Sequence, residues 1–160
     1  MFTAGADAVE QANAEFKAGI KNELKAAMKG GDKAATAVLK SLLSDLTYAE
    51  KSPQDKGVSA VTILRRSIKR RQESAASFRA GARDDLAVAE EAEAAILERF
   101  LPKQMSEDEI AAVVAQVRDR IGAKGAGDLG KVMKVLNAEI DASVAPRKLV
   151  SEVAKRVLSA

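Results

Sequence analysis

The sequence predicts an all-α protein, and three features of its composition support this fold class. Apolar residues make up 47% of the 160 residues, which is enough for a core, whereas aromatic residues make up 3%. Much of the apolar share is alanine and leucine, which are the strongest helix formers because their side chains lose little rotamer freedom in a helix. The chain has three prolines, so long helices can run without interruption.

The first two predicted helices are bounded by aspartates and glycines. Asp7 is a candidate N-cap for a first helix, whose apolar residues recur every three or four positions until Gly30 and Gly31 end it. Asp32 is the predicted N-cap of a second helix. Residues 51–57, KSPQDKG, are rich in turn formers and interrupt the helical pattern.

The next two predicted helices carry opposite charges. Ser59 is the predicted cap of a basic third helix that runs to about Ala80, and Gly81 is expected to end it in the left-handed conformation. Asp84 and Asp85 are expected to open an acidic fourth helix, because negative charge is favourable at a helix N-terminus. The residues predicted to face inward are Val61, Leu64, Ile68, Ala75 and Phe78 on the third helix and Leu86, Ala89, Ile96, Leu97 and Phe100 on the fourth.

The segment FLPKQMSEDEI, residues 100–110, is the predicted boundary between two domains. Pro102 stops a helix, and Ser106 with Glu109 has the S-x-x-E spacing of a capping box for a fifth helix. Beyond it, Asp128 is expected to cap a short sixth helix, and Pro146 fits the first turn of a last helix.

We therefore predict two helical domains. The first, residues 1–101, is expected to be a four-helix unit built from antiparallel hairpins. The second, residues 102–160, is expected to be a three-helix unit that is marginal alone because of its size.

The chain contains neither cysteine nor histidine, which excludes several chemistries. Disulfides, thiolate nucleophiles and the usual zinc ligands are ruled out, as are the Ser-His-Asp and Cys-His arrangements. The usual general base near neutral pH is missing too. We therefore predict no catalytic residue, no metal and no cofactor.

A basic run lies on the predicted third helix, within ILRRSIKRRQESAASF, residues 63–78. Like charges four positions apart destabilise a helix by about 0.2–0.5 kcal/mol per pair, so the run needs a compensating partner. Residues 1–80 carry 14 basic and 9 acidic side chains, a weak indication of a polyanionic partner. The candidate phosphate-binding residues here are Arg65, Arg66, Lys69, Arg70 and Arg71.

The alternative partner for the basic run is the acidic fourth helix, which could face it across a helical hairpin. Only one edge of each helix faces its neighbour, and exposed ion pairs contribute about 0–1 kcal/mol. We therefore expect part of the run to brace the fourth helix. Two or three of its five cations are expected to remain available for phosphates.

Two further patterns in the sequence resemble known sites. Glu90 and Glu93 could share a helix face, but di-iron bundles pair such glutamates with histidines, so a solvated acidic face is the preferred interpretation. The stretch GAKGAGDLGKVMK is not a nucleotide-binding P-loop, because Val132 stands where Ser or Thr is required. Lys131 and Lys134 on the helix after this loop remain candidates for contact with a phosphate backbone.

Several motifs in order resemble the YqeY-like family. They are R-R-x-x-K-R-R-Q-E-S-A-x-x-F, A-G-A-R-x-D-L-A-x-x-E-E-x-E, I-L-x-x-F-L-P-x-Q-[ML]-S-x-x-E-I, D-L-G-K-V-M-K and the tail P-x-K-L-V-x-E-x-x-K-x-x-L. The resemblance covers about residues 17–160 and implies a small all-helical protein with a larger N-terminal and a smaller C-terminal part.

The resemblance also implies a link to tRNA. The C-terminal part is similar to the tail domain of the B subunit of the glutamine-dependent tRNA amidotransferase, which touches tRNA. Gly130, Lys131, Met133 and Lys134 match its G-x-x-M-[KR] segment. A label of carbon–nitrogen ligase with glutamine as amido donor would follow from the family. The residues argue against independent catalysis, because the chain has no phosphate-binding motif and no amidase serine-lysine constellation.

Three functions therefore stay open. The first is a non-catalytic accessory module that binds tRNA or another RNA through backbone and shape, since few aromatics are available for base stacking. The second is a protein-interaction module that docks an amidotransferase or another partner without RNA. The third and least favoured is glutamine-dependent amide formation by this chain alone.

The expected compartment is the cytoplasm or the mitochondrial matrix. The N-terminal residues lack the apolar centre of a signal peptide and the arginines of a transit peptide, and family members occur in bacteria and mitochondria. No run of about 18 apolar residues is present, so no membrane contact is predicted.

Overall fold

The computed structural model describes residues 4–160, with side chains from Asp7 onward. Within that range the chain forms helices and no strand, which confirms the all-α prediction. The α-helices are α1 (Ala4–Lys29), α2 (Lys33–Lys51), α3 (Ala60–Ala80), α4 (Asp84–Glu98), α5 (Glu107–Ile121), α6 (Leu129–Glu139) and α7 (Arg147–Ser159), with short 3-10 turns at Pro53–Asp55 and Ala126–Asp128. Contacts divide the chain after Leu101 into two compact units, here called unit 1 and unit 2.

In unit 1, α2 and α3 each pack against the other three α-helices. The α3–α4 pair forms a helical hairpin with the most extensive helix–helix contact of the unit. Leu39, Leu42, Leu64 and Leu97 are almost fully buried in the shared core. The core thus fixes one face of α2 and α3 inward and leaves their opposite faces in solvent.

Two of the predicted caps in unit 1 are confirmed. The Asp32 carboxylate accepts a hydrogen bond from the Ala35 backbone N–H (3.0 Å), and the Ser59 hydroxyl accepts one from Thr62 (3.2 Å). The prediction for Asp7 is wrong, because α1 already includes Ala4 and Asp7 lies in its first turn.

The end of α3 differs from the prediction. Gly81 has a φ of −88°, and the left-handed residue is Ala82, with a φ of 57°. The Ala82 N–H donates to the Arg79 carbonyl (3.0 Å) and the Arg83 N–H to the Phe78 carbonyl (2.8 Å), which together form a Schellman motif. The motif therefore places an alanine at the position that usually favours glycine.

The inward face of α4 was predicted only in part. Leu97 is buried as expected, but Ala89 is exposed. Ala87 and Ala94, seven positions apart and so on one helix face, are buried in its place. Small side chains on this face allow α4 to lie close to its neighbours.

Unit 2 is formed by α5, α6 and α7, which all contact one another. Ser106 and Glu109 form the predicted capping box of α5, with hydrogen bonds of 3.1 and 2.8 Å. Gly122 ends α5 in the left-handed conformation. Pro146 lies one residue before the first residue of α7, not inside its first turn. The buried side chains of the unit are Ile110, Val114, Val117, Val132, Leu136, Ile140, Ala145, Val150, Val153, Ala154 and Leu158.

Candidate nucleic-acid interface

Arg71 is the buried member of the basic run. Its side chain is 9% exposed, and its Nε donates to Glu93 Oε2 on α4 at 3.1 Å. Nη1 donates to the Ser67 carbonyl (3.2 Å) and Nη2 to the Ser41 hydroxyl on α2 (3.3 Å). The guanidinium therefore links three helices through charge-assisted bonds, which are stronger than neutral ones.

Arg66 and Arg70 pair with acids outside α4. Arg66 Nη1 lies 2.6 Å from Asp55 Oδ1 in the 3-10 turn, and Arg70 Nη2 lies 2.7 Å from Asp45 Oδ2 on α2. Asp45 also accepts a hydrogen bond from the Ser67 hydroxyl. The two arginine side chains stay 55% and 59% exposed, so their outer edges face solvent.

Lys69 and Arg65 complete the run. Lys69 Nζ lies 3.8 Å from Glu73 Oε1, and both side chains are mostly exposed, which makes this a weak pair. Arg65 is half-buried. Arg66, Lys69 and Arg70 lie three or four positions apart and share one side of α3, so this side presents three cations to solvent.

The acidic side chains of α4 pair mainly with residues other than the exposed cations Arg66, Lys69 and Arg70. Arg79 binds both carboxylate oxygens of Glu91 (2.7 and 2.8 Å), and this hydrogen bonding, together with the charge of Glu91, raises the pKa of Arg79. Gln72 donates to Glu98 (3.3 Å). Across residues 4–160, no three or more acidic side chains lie close enough together to hold a metal ion.

In unit 2, Lys131 and Lys134 lie three positions apart on α6, and both are exposed. Lys131 Nζ is 3.5 Å from Asp128 Oδ1. Asp128 occupies the N-cap position of α6, as predicted, but it makes no side-chain hydrogen bond to the first turn of the helix. Its Oδ2 accepts the Lys124 backbone N–H (2.9 Å) and closes the glycine-rich loop. This hydrogen bond is the main reason why the pKa of Asp128 is lowered, and the nearby charge of Lys131 contributes less.

Sequence reasoning missed a second cationic face, on α2. Lys33, Lys40 and Lys51 are exposed there, and Tyr48 is 74% exposed beside them. The spacings of seven and eleven residues are close to two and three helical turns, so the three lysines share one face. This spacing was visible in the sequence, but these lysines are separated by other residues and do not form a conspicuous run.

These features define a class of protein, a small all-helical protein with exposed cationic helix faces. The sequence matches the YqeY-like protein family over residues 17–158, and the chain belongs to that family. It is also 35% identical over 93 residues to the uncharacterized protein C22F3.15 of Schizosaccharomyces pombe. That match covers 57% of this chain and 76% of the yeast protein. None of the helices from Ala4 onward is long and apolar enough to cross a membrane.

Proposed function

We propose that this protein is a non-catalytic accessory module that binds RNA, with tRNA as the first candidate. The observation that carries the proposal is the exposed row of Arg66, Lys69 and Arg70 along one side of α3. Phosphate contacts supply most of the affinity of such proteins, and arginine forms bidentate hydrogen bonds with phosphate.

The ion pairs of these three residues do not prevent phosphate binding. The Arg66 and Arg70 side chains are 55% and 59% exposed, so a phosphate can bind their outer edges while Asp55 and Asp45 stay paired. Arg71 differs, because its guanidinium is buried and bonded to three helices. We therefore assign Arg71 a structural role and leave Arg65, which is half-buried, as a lesser candidate.

Unit 2 supplies two further candidates. Lys131 and Lys134 are exposed on α6, and they belong to the segment that resembles the tRNA-contacting tail of the amidotransferase B subunit. Phosphate contacts of this kind position an RNA without reading its sequence.

The test is binding of the full chain to total tRNA between roughly 50 and 200 mM salt, a range over which several phosphate contacts change affinity by orders of magnitude. Replacing Arg66, Lys69 and Arg70 by glutamine should weaken binding and lower the salt slope by about one per lost contact. Wild-type affinity in this variant would contradict the α3 surface.

A matched control removes the acids and keeps the cations. Asp45→Asn with Asp55→Asn releases Arg70 and Arg66 from their pairs, so tRNA should bind more tightly. If the cations serve only to hold the helices, the double variant will lose stability and its tRNA affinity will not rise.

A protein-interaction module is the second candidate. Val88 on the acidic helix α4 is 56% exposed, so a partner that docks on this helix would bury it. A stoichiometric protein partner that survives nuclease treatment and is lost with Val88→Glu would favour this function. Amide product formed by the purified chain from glutamine and ATP would overturn the non-catalytic assignment.

A further inference from the structure

The outer face of α2 carries a row of lysines opposite the core. Lys33, Lys40 and Lys51 are exposed, whereas Val38 and Leu42 on the other side of the helix are buried. Lys51 lies 18 positions after Lys33, so the row is about 27 Å long at 1.5 Å per residue. Ser44 and Thr47 lie between them on the same face and add hydroxyl groups.

The charge of this row is uncompensated. Within the part of the chain that the structure describes, none of the three lysines forms an ion pair. The two acids of α2 are turned to other partners, because Asp45 pairs with Arg70 and Glu50 with Lys17. The lysines are therefore available to an anion without the loss of an internal contact.

Tyr48 gives this face an aromatic surface. It is the chain's only tyrosine, and 74% of it is exposed. Together with Lys40, Leu43, Ser44, Thr47 and Lys51 it lines a shallow depression of about 490 Å³. An exposed ring flanked by lysines is the combination with which proteins hold unpaired nucleotides, since bases stack on the ring and ammonium groups follow the phosphates.

We propose that the outer face of α2 binds an unpaired stretch of RNA, with a base stacked on Tyr48 and phosphates at Lys40 and Lys51. Along the helix axis these lysines lie about 12 and 4.5 Å from Tyr48, on its two sides. This inference rests on the proposed function and extends it, because the α3 cations need only a phosphate backbone. The predicted ligand is an RNA in which single-stranded nucleotides lie next to a base-paired RNA helix.

The sequence supplies its own probe for this contact. The chain has no tryptophan and one tyrosine, so its intrinsic fluorescence reports Tyr48 alone. Titration with a twelve-nucleotide oligouridylate at low salt should quench this emission, after correction for absorbance with N-acetyltyrosinamide. With a labelled oligouridylate, Tyr48→Ala should lower affinity roughly 5- to 150-fold, the range expected for one stacked base, and Tyr48→Phe should retain it.

A matched variant separates this face from the net charge. Lys21, Lys25 and Lys29 are exposed on α1 and have no aromatic residue among them. Replacement of these three lysines by glutamine changes the net charge by the same amount as replacement of Lys33, Lys40 and Lys51. The α2 triple variant should lose quenching and most affinity for oligouridylate, whereas the α1 triple variant should keep the quenching. Equal losses in both would overturn the inference.

Failure of the two proposals is distinguishable. One outcome would contradict the α2 inference alone. In it, tRNA binds with a steep salt dependence, but the fluorescence of Tyr48 is not quenched and Tyr48→Ala binds tRNA and oligouridylate like the wild type. The proposal of RNA binding would then stand. If the wild type binds neither RNA at low salt, both are wrong. Quenching lost in the α2 triple variant and retained when Arg66, Lys69 and Arg70 are replaced would support the α2 face as a separate site.

Discussion

The two units stabilise their helices by different means. Unit 1 buries a charged side chain, Arg71, which joins α2, α3 and α4. Unit 2 has an apolar core, and the buried polar side chains of the described chain, Ser67 and Arg71, both lie in unit 1. In unit 2 the polar bonds lie at helix ends, where Arg147 donates to the carbonyls of Ile140 and Asn137.

The contrast between a buried charged side chain in unit 1 and an apolar core in unit 2 indicates how each unit favours one packing of its helices. A buried guanidinium satisfies its hydrogen bonds in one arrangement only, and loss of a partner leaves polar groups unpaired. An apolar core tolerates small shifts, so helix ends must be fixed by caps. We therefore expect the buried Arg71 to help fix the helix packing of unit 1, and the terminal caps to do so in unit 2.

The largest expected effect belongs to the apolar core of unit 2. Leu136 is fully buried, so Leu136→Ala removes transfer free energy and leaves a cavity. We expect a loss of about 2–5 kcal/mol in the free energy of unfolding, measured by urea denaturation with amide exchange on α5–α7. A loss below about 1 kcal/mol would mean that the unit 2 core is loosely packed.

Replacement of Arg71 should lower the free energy of unfolding nearly as much, but through the loss of polar contacts. Arg71→Ala removes three hydrogen bonds and packing volume, so we expect a loss of about 2–3 kcal/mol. Arg71→Met should cost less, because it restores the volume and Glu93 can be solvated at its 41% exposed side chain.

The control for Arg71 is Arg70→Ala, which removes an exposed pair and should cost less than about 1 kcal/mol. Equal losses for Arg70→Ala and Arg71→Ala in urea denaturation would show that burial does not distinguish the two arginines. The proposed contrast between the units would then fail.

The ends of α3 and α5 allow a smaller, reciprocal test. Ala82 occupies a left-handed position that usually favours glycine, so Ala82→Gly should raise the free energy of unfolding by about 1 kcal/mol. Gly122 is left-handed at the end of α5, so Gly122→Ala should lower it by a similar amount. Thermal denaturation of both variants checks the signs, and equal signs would contradict the argument.

The smallest expected effect is a pH dependence in unit 2. The Ser143 backbone N–H donates to Asp141 Oδ1 at 2.7 Å and lowers the pKa of Asp141 below its ordinary 3.8. Because the folded state holds the proton less tightly, this stability is present above pH 3.8 and is lost as the pH falls through the lower value. Acid titration of Asp141→Asn, followed by amide exchange at Ser143, should show a weaker loss than the wild type.

The helices and most caps were predictable because their signals are local. Ser59, Ser106 and Glu109 each act within three residues of their own position. Arg71 was predictable in part, since it falls on the same helix face as Ile68 and Ala75. Its partner Glu93 lies 22 residues away, and no local pattern selects that acid among the others of α4.

The exposed α2 face could also have been found from spacing alone, but its lack of partners could not. The spacing within α2 excludes pairs with Asp45 and Glu50, because neither acid lies three or four positions from Lys40 or Lys51. Whether an acid of another helix reaches these lysines is set by tertiary packing. The assignment of a left-handed conformation to Ala82 required the same information, because the sequence offered Gly81 as the natural choice.

Asn13 lies outside the family match, yet both ends of its side-chain amide are bonded to backbone groups around the start of α3. Nδ2 donates to the Val58 carbonyl (3.0 Å), and Oδ1 accepts the Ala60 N–H (2.7 Å). A recombinant fragment that begins at the family boundary, residue 17, would therefore lose the two hydrogen bonds that join α1 to the start of α3. For expression and crystallisation, the shortest useful chain begins several residues before the boundary that homology defines.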